Sequence, residues 1–446
     1  MVVGAGLAGL AAARRLEMLG RTVSVLEARD RVGGRVLNHT LSDGSIVELG
    51  GQWISPIQAR VSALAAELGL ETFPTYEEGT NLTVINDAVR PWQAEDDYGL
   101  DDHDREEVER LLAKLDRLAQ TISIDAPWES PRANELDSRT LDTWLRENAR
   151  TEIAFAFWRL LSRAVFGAEP SQMSLLHCLF YAHSGGSMET LIASGDGAQD
   201  SRIVGGSGLL SLGLSERLQT DVELTAPVTE IRQSTGGVEV KHAGGAVACR
   251  RVVVTLPPTL AGRIRYTPPL PTARDQLTQQ IPMGYVIKAQ AVYDEPWWRA
   301  EGWSGFGISF NGPVSHVFDN SPPDTRCGVL VAFVDGEEGR RVGQMPAPRR
   351  RETVLGHLQQ FFGRRAAIPS EYVECDWAAE EWTRGCYGGR VGTGVWTALG
   401  HAMREPVGRF HWAGAEYARE WTGYMEGALR SGEHVGDEVE AALARE

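Results

Sequence analysis

Apolar and polar positions at the amino end predict a strand, a helix and a second strand in close succession. Residues 1–3 are apolar, residues 10–19 repeat apolar positions at a helical spacing, and residues 22–26 are again mostly apolar. The first strand is short, because globular strands usually have about five or six residues. This alternation predicts an α/β arrangement at the start of the chain.

The rest of the chain alternates between helical and strand-like segments, without a repeat or a low-complexity linker. Helical patterns occur at residues 58–70, 95–120, 141–148, 153–165, 174–183, 208–218 and 352–362. Strand-like patterns occur at residues 228–231, 238–240 and 251–256, and they dominate from 285 to 334. A short strand near residue 410 and a helix to the end complete a pattern that predicts an α/β (α+β) fold.

A glycine motif fills the turn between the first strand and the first helix. Gly4, Gly6 and Gly9 form GxGxxG, and the acidic Glu27 follows 18 positions after the last glycine. In such a motif the first glycine makes the tight turn, the second lets the backbone approach a pyrophosphate, and the third lets helix and strand pack closely. The helix N-terminus then faces the phosphates, and the acidic residue accepts from the ribose hydroxyls. The motif predicts dinucleotide binding, with an ordinary glycine turn as the alternative.

The residues that follow favour FAD over NAD. Residues 27–35 carry two more glycines and three arginines, residues 43–44 are a hairpin-turn signal, and residues 48–53 have the sequence Glu-Leu-Gly-Gly-Gln-Trp. Arginines in this position can pair with a pyrophosphate or close over a bound flavin, while the glycines permit backbone approach. Taken alone, the arginines would be interpreted as a solvated face.

These segments resemble the FAD-binding amino-terminal region of the flavin-containing amine oxidases, the family of the monoamine and polyamine oxidases. Residues 409–416 and 421–428 resemble the carboxy-terminal flavin signature of that family, so the resemblance covers almost the whole chain. It implies a Rossmann-like FAD-binding domain of residues 1–74, 198–272 and 380–446, interleaved with a substrate-binding domain of mixed sheet and helices.

The resemblance assigns residues 75–197 and 273–379 to that substrate-binding domain. It also implies a set of FAD-binding residues, with Val228 at the adenine end. The implied set is Gly4, Gly6, Gly9, Glu27, Arg29, Gly34, Arg35, Gly50, Gly51, Gln52, Trp53, Val228, Trp382, Cys386, Gly414, Glu416 and Met425.

The use of lysine singles out one candidate catalytic residue. Of the 44 lysines and arginines in the chain, the lysines are Lys114, Lys241 and Lys288. Lys288 lies in the apolar segment 283–290, which resembles the family segment whose lysine holds a water against flavin N5. Burial would lower its pKa, because desolvation disfavours the ammonium form. The alternative is a strand lysine that faces solvent.

The segment 382–387 contains Trp382 and Cys386 and resembles the segment in which monoamine oxidases join a cysteine thioether to the 8α carbon of the flavin. Covalent FAD through Cys386 is therefore one expectation. Non-covalent FAD is the other, because relatives of the same fold include such binders and free cysteines are usually small buried hydrophobes. The five cysteines are far apart and form no CxxC pair, which predicts a reducing cytoplasm and neither a disulfide framework nor a zinc site.

Tyr387 and Tyr424 match the two tyrosines that flank the substrate path in the family. Electron-rich ring faces favour an amine nitrogen between them, and their walls exclude water from the reacting carbon. As isolated aromatic residues, both would be expected in the core. The resemblance thus implies the catalytic residues Lys288, Tyr387 and Tyr424. The sequence contains no HExxH motif and no metal-ligand cluster, so we expect no metal.

Charge and hydropathy narrow the possible partners. The formal net charge is −16 and the pI is near 5.2, which argues against a nucleic-acid or anionic-membrane binder. No apolar run reaches the ~20 residues that span a bilayer. We therefore expect a cytoplasmic protein without nucleic-acid or membrane partners. The resemblance implies a small amine and O2 as its partners, and a homodimer is one expectation for its assembly.

The resemblance implies FAD-dependent oxidative deamination of an amine to an imine and then an aldehyde, with reduction of O2 to H2O2. Two alternatives remain open. An L-amino-acid oxidase of the same fold would need an arginine for the substrate carboxylate, and a flavoprotein without activity would act as a binding module. The sequence leaves the identity of the amine undetermined.

Overall fold

The computed structural model describes residues 1–93 and 98–446, and its architecture is α/β, as predicted. The helices are α1 (Leu7–Met18), α2 (Ala59–Glu67), α3 (Asp102–Ala119), α4 (Ala133–Asp137), α5 (Leu141–Asn148), α6 (Glu152–Phe166), α7 (Leu175–Ser184), α8 (Met188–Ile192), α9 (Gly208–Glu216), α10 (Pro258–Ala261), α11 (Thr272–Gln279), α12 (Trp297–Ala300), α13 (Gly336–Gly343), α14 (Ala347–Phe362), α15 (Val395–Leu399) and α16 (Met425–Leu443). The strands are β1 (Val2–Val3), β2 (Val25–Leu26), β3 (Asn38–Thr40), β4 (Ile46–Glu48), β5 (Thr72–Pro74), β6 (Thr80–Ile85), β7 (Ala88–Trp92), β8 (Ser201–Ile203), β9 (Val228–Ser234), β10 (Gly237–His242), β11 (Gly245–Cys249), β12 (Val252–Val254), β13 (Arg265–Thr267), β14 (Val286–Tyr293), β15 (Trp303–Ser309), β16 (His316–Asp319), β17 (Gly328–Asp335), β18 (Glu371–Asp376) and β19 (Phe410–Trp412).

A four-stranded parallel sheet in the order β19-β12-β1-β2 carries the amino-terminal motif. Val2 pairs with Val25 on one side and with Val253 on the other. The first strand has two residues, in agreement with the short strand predicted. The strands of this sheet come from all three segments expected to form the FAD-binding domain, while the domain boundaries themselves stay predictions.

A seven-stranded sheet in the order β18-β14-β17-β16-β15-β6-β7 forms the second layer. β14 and β17 are antiparallel neighbours, are buried along their whole length, and lie, to within one residue, in the segment 285–334 where strands are predicted to dominate. In the strand register, Lys288 pairs with Phe333 and Phe333 pairs with His316. Because paired residues share a face of a sheet, these three side chains form one row across β14, β17 and β16.

Helices α3, α6 and α7 pack together through a core that includes Phe157, Trp158 and Phe180. Phe157 of α6 and Tyr181 of α7 also reach the wall of a large cavity between these helices and the two sheets. Among the helices in the described ranges, none is long and apolar enough to cross a membrane.

Most predicted helices and strands are present, with ends that differ by a few residues. The helix predicted over 95–120 begins only at Asp102, because the Asp101 carboxylate accepts from the Asp104 backbone N–H and caps α3 there. Part of that prediction, at residues 95–97, lies outside the described residues. The strand predicted over 228–231 continues to Ser234, because β9 pairs with β10 in a hairpin along this length.

Candidate active site

A cavity of about 560 Å³ runs from the glycine turn after β1 to the face of the seven-stranded sheet. All the residues predicted to bind cofactor or to act in catalysis line it, except Gly9 and Glu416. The cavity therefore brings together side chains from the two ends and the middle of the chain.

The glycine turn at one end of the cavity has the geometry of a phosphate cradle. Gly4 has φ +103°, a conformation that side chains rarely adopt. A Cβ on Gly9 would lie 1.9 Å from the Gly4 carbonyl oxygen, so Gly9 allows α1 to pack against the turn. A Cβ on Gly6 would meet nothing nearer than 4.0 Å, which leaves room on the cavity side. With α1 beginning at Leu7, its backbone N–H groups are available to an anion, so the turn fits a dinucleotide.

Glu27 lies directly after β2, buried at the same end of the cavity. Its carboxylate accepts from the Ala5 N–H at 2.7 Å and from the Arg29 N–H at 2.9 Å. These bonds fix the carboxylate beside the glycine turn, where its remaining lone pairs can accept from ribose hydroxyls. Val228, at the start of β9, lines the cavity nearby, but its expected contact with adenine stays a prediction.

The two arginines predicted to meet the cofactor are held by the carboxy-terminal segments. Arg35 donates to both oxygens of Glu416, at 2.6 and 2.9 Å, and to the Tyr387 carbonyl at 2.7 Å. Arg29 donates to the Thr383 hydroxyl. Protein groups thus engage both guanidinium groups, and Glu416 holds Arg35 without itself lining the cavity. A direct contact of either arginine with pyrophosphate or flavin stays a prediction.

Lys288 lies at the opposite end of the cavity and is 3% exposed. Its ammonium nitrogen donates to the Gly50 carbonyl at 2.8 Å and to Gln52 Oε1, and it lies 5.6–5.7 Å from the centres of the Phe333 and Trp53 rings. Burial lowers its pKa from 10.5 to about 7. The predicted burial is confirmed, and the alternative of a solvent-facing strand lysine is wrong.

Sequence patterns missed a buried polar network behind Lys288. Arg202 and Glu48 form an ion pair at 2.7 Å, with both side chains almost fully buried. Gln52 donates to Asn320 Oδ1 at 2.6 Å, and Asn320 donates to Gln290 Oε1 at 3.1 Å. These residues come from distant strands, so only the tertiary structure brings them together. Glu48, two residues before the glycine pair at 50–51, is the only member of this network that a local pattern could have indicated.

Cys386 and the two tyrosines line the cavity at the same end as Lys288. Burial raises the pKa of the Cys386 thiol, so the free side chain is a neutral thiol. Tyr387 lies 6.3 Å from Phe333 between ring centres, and Tyr424 lies 6.0 Å from Tyr181. Burial also raises the pKa of both phenols, which keeps them uncharged.

The remaining predicted cofactor residues lie along the cavity wall. Trp382 is partly exposed at its rim, and Gly34, Gly50, Gly51, Trp53, Gly414 and Met425 complete the set. Their contacts with a cofactor stay predictions.

The wall beyond the lysine is apolar and aromatic. It is formed by Tyr98, Phe157, Leu160, Leu161, Phe306, Ile308, Phe318 and Phe333, among others. Of the lining residues that the structure describes within 75–197 and 273–379, Lys288 alone is a lysine, arginine or carboxylate. The charged side chains Glu27, Arg29, Arg35, Arg263, Glu381 and Arg384 come from the segments expected to bind FAD.

A dinucleotide cradle that opens onto a largely apolar, aromatic cavity with a buried lysine is the arrangement of a flavin-dependent oxidoreductase. The chain belongs to the flavin-containing amine oxidoreductase family, whose model matches residues 7–439. The putrescine oxidase of Kocuria rosea is 38% identical over 452 residues, which cover 98% of this chain and 94% of the relative.

Two further relatives differ from it in described activity. A protein of a Synechocystis strain described as an L-amino acid dehydrogenase is 36% identical, over 97% of this chain and 93% of the relative. The solved structure of cyclohexylamine oxidase from Brevibacterium oxydans has a TM-score of 0.94 and 31% identity, covering 99% of this chain and 98% of that one.

Proposed function

We propose that this protein is an FAD-dependent oxidase that deaminates a primary amine with an apolar body, with O2 as the electron acceptor. The observation that carries the proposal is the buried Lys288 at the far end of the cavity that begins at the glycine turn. Membership of the amine oxidoreductase family supports flavin-dependent oxidation of an amine.

The cofactor would lie along the cavity from the glycine turn toward Lys288. The N-terminus of α1 would hold the pyrophosphate, and Glu27 would accept from the ribose hydroxyls. When bound, FAD supplies the two-electron oxidant that converts the amine to an imine and passes the electrons to O2, which yields H2O2.

The side chains of the chain itself orient the substrate and exclude water. The Tyr387 and Tyr424 rings present uncharged, electron-rich faces to the amine nitrogen. The volume of the two rings also keeps solvent water away from the α carbon. Lys288 is anchored by Gly50 and Gln52, and with a pKa near 7 it can hold a water molecule as donor or as acceptor. Water then hydrolyses the imine to an aldehyde and ammonia.

The apolar wall favours a monoamine over an amino acid. Binding an amino acid would bury its carboxylate, which requires a cationic partner. The described lining residues within 75–197 and 273–379 supply no guanidinium for such a carboxylate. They also supply no carboxylate for the second ammonium of a diamine. Oxidation of an L-amino acid remains the second candidate, supported by the Synechocystis relative.

A peroxide-coupled assay with purified, FAD-loaded protein tests the proposal. We expect cyclohexylamine and 2-phenylethylamine to be oxidised with a higher kcat/KM than putrescine or L-leucine. Faster oxidation of L-leucine would support the amino-acid oxidase instead. Absence of peroxide with every amine and amino acid, despite bound flavin, would support the non-catalytic module.

A cytoplasmic location and a homodimer, both expected from the sequence, belong to the same proposal. Light scattering of the purified protein measures the oligomeric state directly. A mass of about twice 48.8 kDa would support the dimer.

A further inference from the structure

Three buried side-chain amides, those of Gln290, Asn320 and Gln52, connect Lys288 to a backbone carbonyl of β4. Gln290 lies two residues after Lys288 on β14, so both side chains are on the same face of the sheet. Gln290 Nε2 donates to the Glu48 carbonyl at 2.9 Å, and Gln290 Oε1 accepts from Asn320 Nδ2 at 3.1 Å. Asn320 Oδ1 accepts from Gln52 Nε2 at 2.6 Å, and Gln52 Oε1 accepts from the Lys288 nitrogen. We call these three linked side chains the amide chain.

The hydrogen bonds fix the orientation of each amide. A carbonyl can only accept, so Gln290 directs its NH2 group to the Glu48 carbonyl and its oxygen to Asn320. The same reasoning at the next two links leaves the Gln52 oxygen facing Lys288. Rotating one amide by 180° would place two acceptors or two donors against each other. Because the three side chains are at most 1% exposed, bulk water cannot replace the bonds that such a rotation would break.

The orientation of the amide chain decides where the unpaired position on the Lys288 nitrogen points. Two of its N–H groups donate to the Gly50 carbonyl and to Gln52, and within the described ranges the nitrogen has no third hydrogen-bond partner. The remaining position is a lone pair in the neutral amine and an N–H in the ammonium. A Gln52 amide turned by 180° would donate to this lone pair, which would then be lost to the cavity that Lys288 lines.

We propose that Asn320 and Gln290 are positioning residues for the proposed oxidation: through Gln52, they direct the unpaired position of the Lys288 nitrogen into the cavity. The neutral lysine then presents a lone pair that accepts a proton or a hydrogen bond, and the charged lysine presents an N–H that donates. Neither Asn320 nor Gln290 lines the cavity, so both act through the amide chain. The inference rests on the proposed function for the use made of this position, whereas the amide chain can be tested without turnover.

The amide chain favours the charged form of Lys288, because a fixed amide oxygen stabilises an ammonium more than an amine. Burial acts in the opposite direction and lowers the pKa of Lys288 to about 7. The ion pair of Glu48 and Arg202 contributes charges of both signs, and the thiols of Cys375 and Cys386 stay neutral because burial raises their pKa. Breaking the amide chain allows its last amide to donate to the neutral amine, so the pKa of Lys288 should fall.

The scarcity of lysine makes this pKa measurable in the oxidised holoenzyme. Protein labelled with ¹³C at lysine Cε should give three NMR signals, of which the Lys288 signal is the one absent from Lys288→Met. The signals of Lys114 and Lys241 are internal controls and should not differ among the variants. We expect the midpoint of the Lys288 titration to fall by about 0.5–1 pH unit in Asn320→Leu. The fall should be smaller in Gln290→Met, which leaves the bond between Asn320 and Gln52.

Asn320→Asp separates hydrogen bonding from packing. The aspartate keeps the oxygen that accepts from Gln52. When ionised it adds a charge that favours the ammonium, and when protonated it again donates to Gln290, so the Lys288 midpoint should stay at or above the wild-type value. A fall equal to that in Asn320→Leu would show a packing effect and would overturn the inference. Equal midpoints in the wild type, Asn320→Leu and Gln290→Met would also overturn it, and Gln290→Met decides alone where the Asn320 variants fail to fold.

Turnover gives a second readout. Asn320→Leu should keep the wild-type flavin-to-protein absorbance ratio and lower kcat for 2-phenylethylamine by about 3–30-fold with little change in KM, because Asn320 does not line the cavity. A change in KM alone would overturn the positioning role. Absence of turnover in the wild type would overturn the proposed function and would leave the lysine titration as an independent test of the amide chain.

Discussion

Replacing Lys288 by methionine should separate the chemical role of the amine from its role in the fold. Methionine has a similar length and no polar end, so the cavity keeps its shape while Gly50 and Gln52 lose their donor. We expect FAD to remain bound and turnover to fall by about 10–1,000-fold, in the range of a lost acid–base or positioning group.

The effect on stability can be worked out from the burial of the ammonium. A pKa lowered from 10.5 to about 7 corresponds to roughly 5 kcal/mol between the two protonation states. Methionine removes this cost, but it leaves two buried acceptors without a donor, at about 1–3 kcal/mol each. The contributions nearly cancel, so the free energy of unfolding at pH 7 should lie within about 3 kcal/mol of the wild-type value.

The sign of the pH dependence distinguishes this explanation from a simple packing defect. Between pH 7 and 10.5 the unfolded chain holds the lysine proton and the folded protein does not, so the unfolded state binds more protons. Wild-type stability should therefore gain a contribution as the pH rises from 7 to 10, and Lys288→Met should lose that contribution. The stability of the variant relative to that of the wild type should therefore be highest at pH 7 and lowest near pH 10.

Stopped-flow reduction by 2-phenylethylamine, followed by mixing with O2, measures the two half-reactions, and thermal unfolding from pH 7 to 10 measures stability. Lys241→Met is the matched control, because Lys241 lies on a strand with a partly exposed side chain. The control should retain wild-type turnover. Wild-type rates for Lys288→Met in both half-reactions would show that the lysine has only a structural role.

Three further predictions concern the cofactor and the amine. For Cys386, acid denaturation and filtration should leave the flavin with the protein if a thioether is present, and yellow filtrate would refute the covalent bond. Gly6→Val places a side chain in the phosphate cradle and Glu27→Ala removes the ribose acceptor, so both should lower the flavin-to-protein absorbance ratio. Gly356→Val is the control and should leave the ratio unchanged, because this helix position is open. An unchanged ratio in Gly6→Val would contradict the assignment of the cradle. Tyr424→Phe should reduce kcat/KM only modestly because the ring face remains, while Tyr424→Ser should raise KM and lower kcat, and equal effects of the two changes would contradict a role of the ring face.

Features encoded in local sequence could be predicted, and features that depend on strand register could not. The GxGxxG turn could be predicted because its glycines are close together in the chain. The scarcity of lysine was enough to indicate Lys288 as a candidate. The pairing of Arg35 with Glu416 joins residues 381 positions apart, so no local pattern could indicate it. No local pattern could indicate that Asp335 and His316 both lie within hydrogen-bond distance of the Ser315 hydroxyl, because only the antiparallel pairing of β16 and β17 brings them together.

The chain uses arginine for nearly all of its positive charges, so a lysine at position 288 needs a physical reason. A guanidinium keeps its charge at all physiological pH values, and the buried Arg202 is paired with a carboxylate, that of Glu48. The Lys288 amine instead meets a carbonyl and an amide oxygen, neither of which carries charge. Burial can therefore bring its pKa near 7, so that neutral and charged forms are both populated where the enzyme would act.

Lys288→Arg should accordingly damage activity as much as Lys288→Met, and it should also destabilise the fold, since a permanent charge would be buried among Trp53, Phe333 and neutral acceptors. Turnover of the arginine variant close to that of the wild type would show that positive charge alone is sufficient at this position.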